Sequence, residues 1–343
     1  MEAVLFFLVN AILFFALGLI VFYTEKIRSL TQNDYHPLQQ ILKKYPELYQ
    51  SFKEIKIENA AFLVPGLLKA QTLEKETKNL DDCHDMTPQG LAITEDYLFI
   101  SAYCSSYEHL SVIFMLDRKK EEYIKTIILK DRTHAGGLVY DEDNQCLWVC
   151  AAAKGHGRVA AITMEDILNY QITAKPKPIN YAQYVDFPSI YQASYITMNE
   201  EALLVGTFVK NKNGVVAKAS LEKDADDTAF YLVENKEITV PKRTQGLVFY
   251  KNYCLVSQSF GPVNSKIYVF SSEQFYADSL NKKNALTVIK APPYLEQLAV
   301  FDDYLYMLFE SGAASYREKT AKFLMEVVVF YLPTLLNLEE DNE

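Results

Sequence analysis

Apolar runs of four to eight residues alternate with short polar turns along most of this chain, and the runs come in sets of four. The first set reads QGLAIT, YLFISAYC, SVIFMLD and YIKTIIL. The second reads GGLVYD, CLWVCAAA, GRVAAITM and AQYVDF, and the third QASYITM, ALLVGTFV, GVVAKASL and FYLVEN. The fourth reads QGLVFY, YCLVSQSF, SKIYVFS and ALTVIK; the fifth has only EQLAVF, YLYMLFES and FLMEVVVFYL. Runs this short, rich in β-branched and aromatic residues and separated by TED, YDEDNQ, MNEE, YKN and FDD, predict strands joined by hairpin turns. They are apolar on both faces, as strands packed between two neighbouring sheets must be.

Aligning Gln89, Gly136, Gln192, Gln245 and Glu296 gives spacings of 47, 56, 53 and 51 residues. Four strands repeating about every 50 residues predict a β-propeller. A β-sandwich has no reason to repeat at this period, and strand-rich units exclude a helical solenoid. The fifth unit lacks a fourth strand, and the extended piece from Phe62 to Ala70 has no partner of its own. Pairing the two closes the ring and removes an open sheet edge. The expectation is an all-β, five-bladed propeller. Six blades is the alternative, disfavoured because too few residues precede Gln89 to build another.

Outside the repeat, Ala3 to Tyr23 is almost wholly apolar, with Asn10 its one strongly polar residue. About 20 residues at 1.5 Å rise cross a ~30 Å hydrocarbon core. No small-residue cleavage site follows, so the segment reads as a retained transmembrane anchor rather than a signal peptide. Glu2 precedes it and Lys26 and Arg28 follow, which leans the main domain toward the cytoplasm. Next, Leu38, Ile41, Leu42, Tyr45 and Leu48 fall near helical spacing, and Pro46 divides the stretch into two short pieces. The resulting organisation is an anchor over 1–28, a helical stalk over 29–58, the propeller over 59–336 and an acidic tail over 337–343.

Composition adds exclusions. The 343 residues are 50% hydrophobic and 23% charged, enough to bury a full core. A net charge of −10 argues against a nucleic-acid partner, which would need a basic face. There is no phosphate-cradling glycine loop, zinc-protease helix or nucleophile elbow, so no cofactor is expected. Of the five cysteines, Cys146, Cys150 and Cys254 lie in apolar runs and read as small buried residues. The return of the chain along the second strand brings Cys104 beside the loop holding Cys83. The pair reads as a disulfide in an oxidising compartment or as two thiols, and no recognisable zinc-ligand set accompanies it.

In each unit the residues before the first strand and after the second lie at one end of the blade, so all five units converge on one channel mouth. The candidate ligand-binding set is Gln89, Tyr103, Gln192, Phe208, Arg243, Gln245, Ser259, Glu296 and Glu310, with Asp85, Tyr191 and Phe260 beside it. A glutamine side chain offers both a donor and an acceptor, suited to a sugar hydroxyl or a peptide. It serves equally to bond a neighbouring blade and hold the ring shut. Glu296 and Glu310 are the candidate acid–base pair, and His84 and His134 the candidate bases. A structural alternative for Glu310 is an ion pair with Arg317. His36 and His109 look incidental; His156, with Lys154 and Arg158, reads as a solvated hairpin or an anion contact.

The ordered motifs MTPQGLAI…LFISAYC, HAGGLVYD…LWVC, LLVGTF, TQGLVF…LVSQSFG and APPYLEQLAVFDDYLYMLFESGAASYR resemble a group of bacterial exported or membrane-anchored β-propeller proteins of undefined biochemical role. The likeness runs from Phe62 to the C-terminal region. It implies an extracytoplasmic propeller, against the charge bias at the anchor, and transfers no catalytic residue. Two segments depart from that group: PPYLEQ, where a Ser-Glu pair is usual, and SQSFGP, where Ser-Tyr-Gly is usual. The resulting expectation is a single-pass membrane protein whose propeller binds a polar small molecule, glycan, peptide or partner protein at the mouth. The alternatives are a cell-envelope hydrolase or lyase using the carboxylates, and a structural subunit of a membrane assembly.

Overall fold

The computed structural model describes residues 38–223 and 230–338. The Ala3–Tyr23 anchor and His36 lie outside the described residues. Among those residues, no helix is long and apolar enough to cross a membrane. The chain divides into two units, Met1–Ile41 and Leu42–Glu343.

In chain order, strand β1 (Ala61–Leu63) is followed by a small hairpin of β2 (Ala70–Leu73) and β3 (Leu80–Cys83). Blade one is β4 (Met86–Ile93), β5 (Tyr97–Cys104), β6 (Val112–Asp117) and β7 (Glu122–Ile128). Blade two is β8 (Leu138–Asp141), β9 (Cys146–Ala151), β10 (Gly157–Thr163) and β11 (Gln183–Phe187). Blade three is β12 (Tyr195–Asn199), β13 (Ala202–Gly206), β14 (Gly214–Lys223) and β15 (Phe230–Val240). Blade four is β16 (Thr244–Tyr250), β17 (Tyr253–Gln258), β18 (Ser265–Ser271) and β19 (Thr287–Ala291). Blade five is β20 (Leu295–Phe301), β21 (Tyr304–Phe309) and β22 (Glu326–Tyr331), completed by β1.

The ring therefore has five blades, and the early strand closes it as the repeat predicts: Ala61 pairs with Val328 and Leu63 with Glu326. The closing piece is shorter than expected. Gly66, at φ 76°, turns the chain after Leu63, and Ala70 belongs to the β2–β3 hairpin, which the sequence reading does not anticipate. Inner strands β4, β8, β12, β16 and β20 follow one another around the channel, and β20 packs against β4. The core lies between blades. One apolar cluster joins blades one and two through Phe99, Leu138 and Leu147; another joins blades two and three through Trp148, Phe187 and Leu203.

Pro46 does split the helical stretch, and it does so by opening a helix. Pro46–Lys53 follows Leu38–Leu42, with the proline in the first turn, where a missing N–H costs nothing. This second helix is no free linker. It packs on β22 and on helix Leu332–Leu335, with Ser51 donating to the Tyr331 carbonyl at 2.8 Å.

Two features of the inner strands shape the channel. The pairing register slips after Pro88 in blade one, after Thr244 in blade four and after Leu295 in blade five. These bulges fall at Gln89, Gln245 and Glu296, where an extra residue re-aims a side chain. Glycines then allow close approach. A Cβ on Gly90 would sit 2.8 Å from the backbone of Gly137, and one on Gly137 would sit 2.7 Å from the Ile196 nitrogen.

Candidate functional site

A cavity of about 470 Å³ occupies one end of the channel, and its wall contains Gln89, Gly136, Gln192, Gln245 and Glu296 together. All five leading positions of the sequence repeat thus converge on a single mouth. Phe208, Ser259, Phe260 and Glu310, from the ends of second strands and the loops after them, join them, as does His134. The volume is that of a small-ligand site.

The chemistry centres on two carboxyl groups. Glu296 is buried on the bulge of β20, and Glu310 follows β21 at the start of a short 3₁₀ turn, Glu310–Gly312. The two side chains are hydrogen-bonded to each other. Gln245 donates to Glu296 Oε1 at 3.0 Å and Gln89 donates to Glu310 Oε2 at 3.4 Å. Burial, and then the neighbouring charge of Glu310, holds Glu296 well above the ordinary carboxyl range. Burial also pushes Glu310 up to about 7, opposed by hydrogen bonds from Glu296, Gln89 and Tyr316 and by the charge of Lys319. Two carboxyls in contact cannot both ionise in such a place, so the pair shares a proton near neutral pH.

Tyr294, Tyr316, Lys319, Ser194 and Gly261 complete the wall and are absent from the sequence-derived set. Tyr316 and Lys319 come from the insertion between β21 and β22, where helix Ala314–Arg317 replaces a hairpin turn. Tyr294 precedes β20 at φ 62°, a left-handed conformation costly for a bulky side chain, and Ala135 and Arg243 precede their blades at φ 48° and 63°. Left-handed backbone at the equivalent positions Arg243 and Tyr294, and one residue further along at Ala135, marks this rim as specialised.

Other candidates are placed differently. Tyr103 is buried and stacks on His134 at 3.9 Å between centroids, so it acts on the mouth through that ring and through a hydrogen bond with Tyr316. His134 is held below its ordinary pKa by burial, and so is neutral at pH 7. Arg243 lies over the Phe260 ring at 4.7 Å and donates to the Lys210 carbonyl, off the cavity wall. His84 is not at the mouth: it is exposed, with Nδ1 2.7 Å from the Leu68 carbonyl oxygen, because the β2–β3 hairpin carries it outward. Asp85 and Tyr191 also lie off the wall. Arg317 donates to the carbonyls of Gly312 and Leu67 rather than pairing with Glu310. His156 and Arg158 both meet Asp186, which supports the hairpin reading.

The expectation that a glutamine clamps neighbouring blades is realised one residue further on, at Gln297. Its Oε1 accepts from the N–H of Leu91 at 2.8 Å and of Leu138 at 3.1 Å. Its Nε2 donates to the carbonyls of Leu91 at 2.9 Å and Leu138 at 2.7 Å. Blades one, two and four carry Gly90, Gly137 and Gly246 at this position, which leaves room for one side chain on the axis.

None of the five cysteines is in a disulfide, so the bond expected as one option between Cys83 and Cys104 is not formed. The two are nonetheless neighbours: the thiol of Cys83 donates to Cys104, and this bond, with others from Ser106, His109 and the Glu108 backbone, holds Cys104 down to about 3.

No family model and no curated protein matches the chain. Among solved structures it is similar to a functionally unknown protein from Desulfotomaculum acetoxidans DSM 771, at 13% identity over 74% of this chain and 73% of that one, TM-score 0.40. It is also similar to the Dos1 propeller, at 11% identity over 70% of this chain and 56% of that one, TM-score 0.34. The class is defined by the five sheets themselves: a five-bladed β-propeller closed by its own early strand, with a polar cavity at one end of the channel.

Proposed function

We propose that this propeller binds a small, uncharged polyhydroxylated ligand, of the glycan class, at the channel mouth. The carrying observation is the contact pair Glu296–Glu310, each carboxyl engaged by its own glutamine. A proton-sharing pair offers one donor and several acceptors, and Gln89, Gln192 and Gln245 add both kinds, matching hydroxyls that donate and accept. Phe208, Phe260, Tyr294 and Tyr316 supply apolar ring faces at the same wall. An anionic ligand is disfavoured by the shared negative charge, against which the wall sets Lys319 alone. The apolar Ala3–Tyr23 segment would tether such a binding domain to a membrane, with the propeller on the extracytoplasmic side.

One observation favours a second reading. With its pKa near 7, Glu310 is suited to exchange a proton at neutral pH, as a lyase would require. The two-carboxylate glycosidase arrangement does not fit this pair, because those groups stand roughly 5–9.5 Å apart rather than in contact.

The test is saturation-transfer NMR with a panel of neutral mono- and oligosaccharides. Binding by the wild-type chain, lost in Glu296→Gln, supports the proposal. Absence of binding across the panel, or binding untouched by Glu296→Gln and Gln245→Ala, refutes it. Conversion of the sugar during the experiment, lost with Glu310→Gln, selects the enzymatic reading.

A further inference from the structure

Away from the mouth, the β2–β3 hairpin meets the loop between β5 and β6. Lys75 N–H donates to the Glu108 carbonyl, Leu110 N–H to that of Leu73, and Glu74 bridges His109. This docking gathers three soft donor groups: Cys83 Sγ at the end of β3, Cys104 Sγ at the end of β5, and the His109 ring, all within 4.8 Å of one another.

We propose that Cys83, Cys104 and His109 bind one zinc ion, which fastens the hairpin to blade one beside the point of ring closure. Cys104 Sγ lies 3.5 Å from His109 Nδ1. A tetrahedral ion with metal–sulfur and metal–nitrogen bonds of about 2.3 and 2.05 Å sets that edge at about 3.6 Å. The outer contacts also suit a metal. Asp81 Oδ2 sits 3.3 Å from His109 Nε2, so a metal at Nδ1 would leave the Nε2 proton to this carboxylate. A carboxylate behind a ligating histidine is the usual arrangement. Each sulfur has a backbone N–H donor, Asp85 for Cys83 at 3.5 Å and Glu108 for Cys104.

Both sulfurs are buried, at 0% and 1% exposure, which leaves no approach for a bulky substrate. His109, with its side chain 13% exposed, leaves a way in for an ion. The dication meets two thiolates and a neutral ring, the displaced protons leaving to solvent, and the fourth corner is left to water. Because the β2–β3 hairpin joins closing strand β1 to β4, the ion would hold together both ends of the closure.

The test titrates the reduced, chelator-stripped wild-type chain with Zn²⁺ alone and, in parallel, with Co²⁺. Expected are one zinc per chain, a thiolate-to-cobalt charge-transfer band, protection of Cys83 and Cys104 from alkylation, and a rise in Tm. Asp81→Asn, a change at a surface carboxylate, should weaken zinc binding about 10- to 100-fold without unfolding the chain. A wild-type chain that takes up no zinc overturns the proposal. So does a Cys83–Cys104 disulfide in the protein as isolated, or a Cys104→Ser chain that binds zinc as tightly as wild type.

Discussion

Glu296 and Gln297 are consecutive residues on one bulge of β20, yet they belong to two different regions of the channel. Glu296 faces the mouth, where its partners are side chains: Gln245 and Glu310. Gln297 faces the waist, where its partners are four backbone groups of Leu91 and Leu138. Beyond the waist the far end of the channel is a cavity of about 210 Å³ lined mostly by aliphatic residues, Leu91, Ile93, Leu138 and Leu298 among them. A carboxamide whose hydrogen bonds all go to backbone is structural. A carboxyl pair held in a shared-proton state by its neighbours is poised for something external. Burial alone does not separate the two roles, since both side chains are buried; partner type does.

The largest expected effect is at the waist. Gln297→Ala leaves two N–H and two C=O groups without partners in a buried place, and should cost on the order of 3 kcal/mol. Urea unfolding reads it directly. A loss below about 1 kcal/mol would remove the distinction between clamp and mouth.

Next is pH. Glu310 titrates near 7 in the folded chain and in the ordinary carboxyl range when unfolded. Between those values the native state holds the extra proton, so stability is full below about pH 4.5 and falls as pH rises toward 7. The expected decline from this group is on the order of 2–3 kcal/mol, and Glu310→Gln should flatten it. Stability measured at pH 5 and pH 7.5 in both chains checks the sign; a wild-type chain that gains stability over this interval while Glu310→Gln does not would reverse the reading.

The smallest effect belongs to the outer wall. Gln89→Ala removes one long hydrogen bond to Glu310 and one donor to a ligand, and should weaken glycan binding about 10-fold, or about 1.4 kcal/mol. Unfolding midpoints should barely move. A stability loss as large as that of Gln297→Ala would mean that Gln89 is a clamp as well.

The architecture was legible in the sequence because the repeat is written twice, once in the strand pattern and once in the QG or GG pair that opens three of the blades. The missing fourth strand of the last unit pointed to β1 for the same reason. The mouth was legible only where it is periodic. Tyr316 and Lys319 come from a single insertion in blade five and have no counterparts to align. Gln297 was hidden because glycine is the rule at its position, and the exception fills the space the glycines leave. His109 looked isolated because its partners, Cys83 and Asp81, sit on a hairpin that the pattern did not reveal; the Cys104-x₄-His109 spacing was the available signal.

The shared proton of the carboxyl pair is what sets the mouth apart from the waist. ¹³C NMR titration of the glutamate side chains, assigned with Glu296→Gln and Glu310→Gln, tests it without any ligand. The predicted result is one carboxyl of the pair titrating near pH 7 and the other displaced from the ordinary range, with Glu296 moving part of the way back toward that range once Glu310 is replaced by Gln, while burial keeps Glu310 high in Glu296→Gln. Two carboxyls that both ionise as ordinary surface glutamates would contradict it.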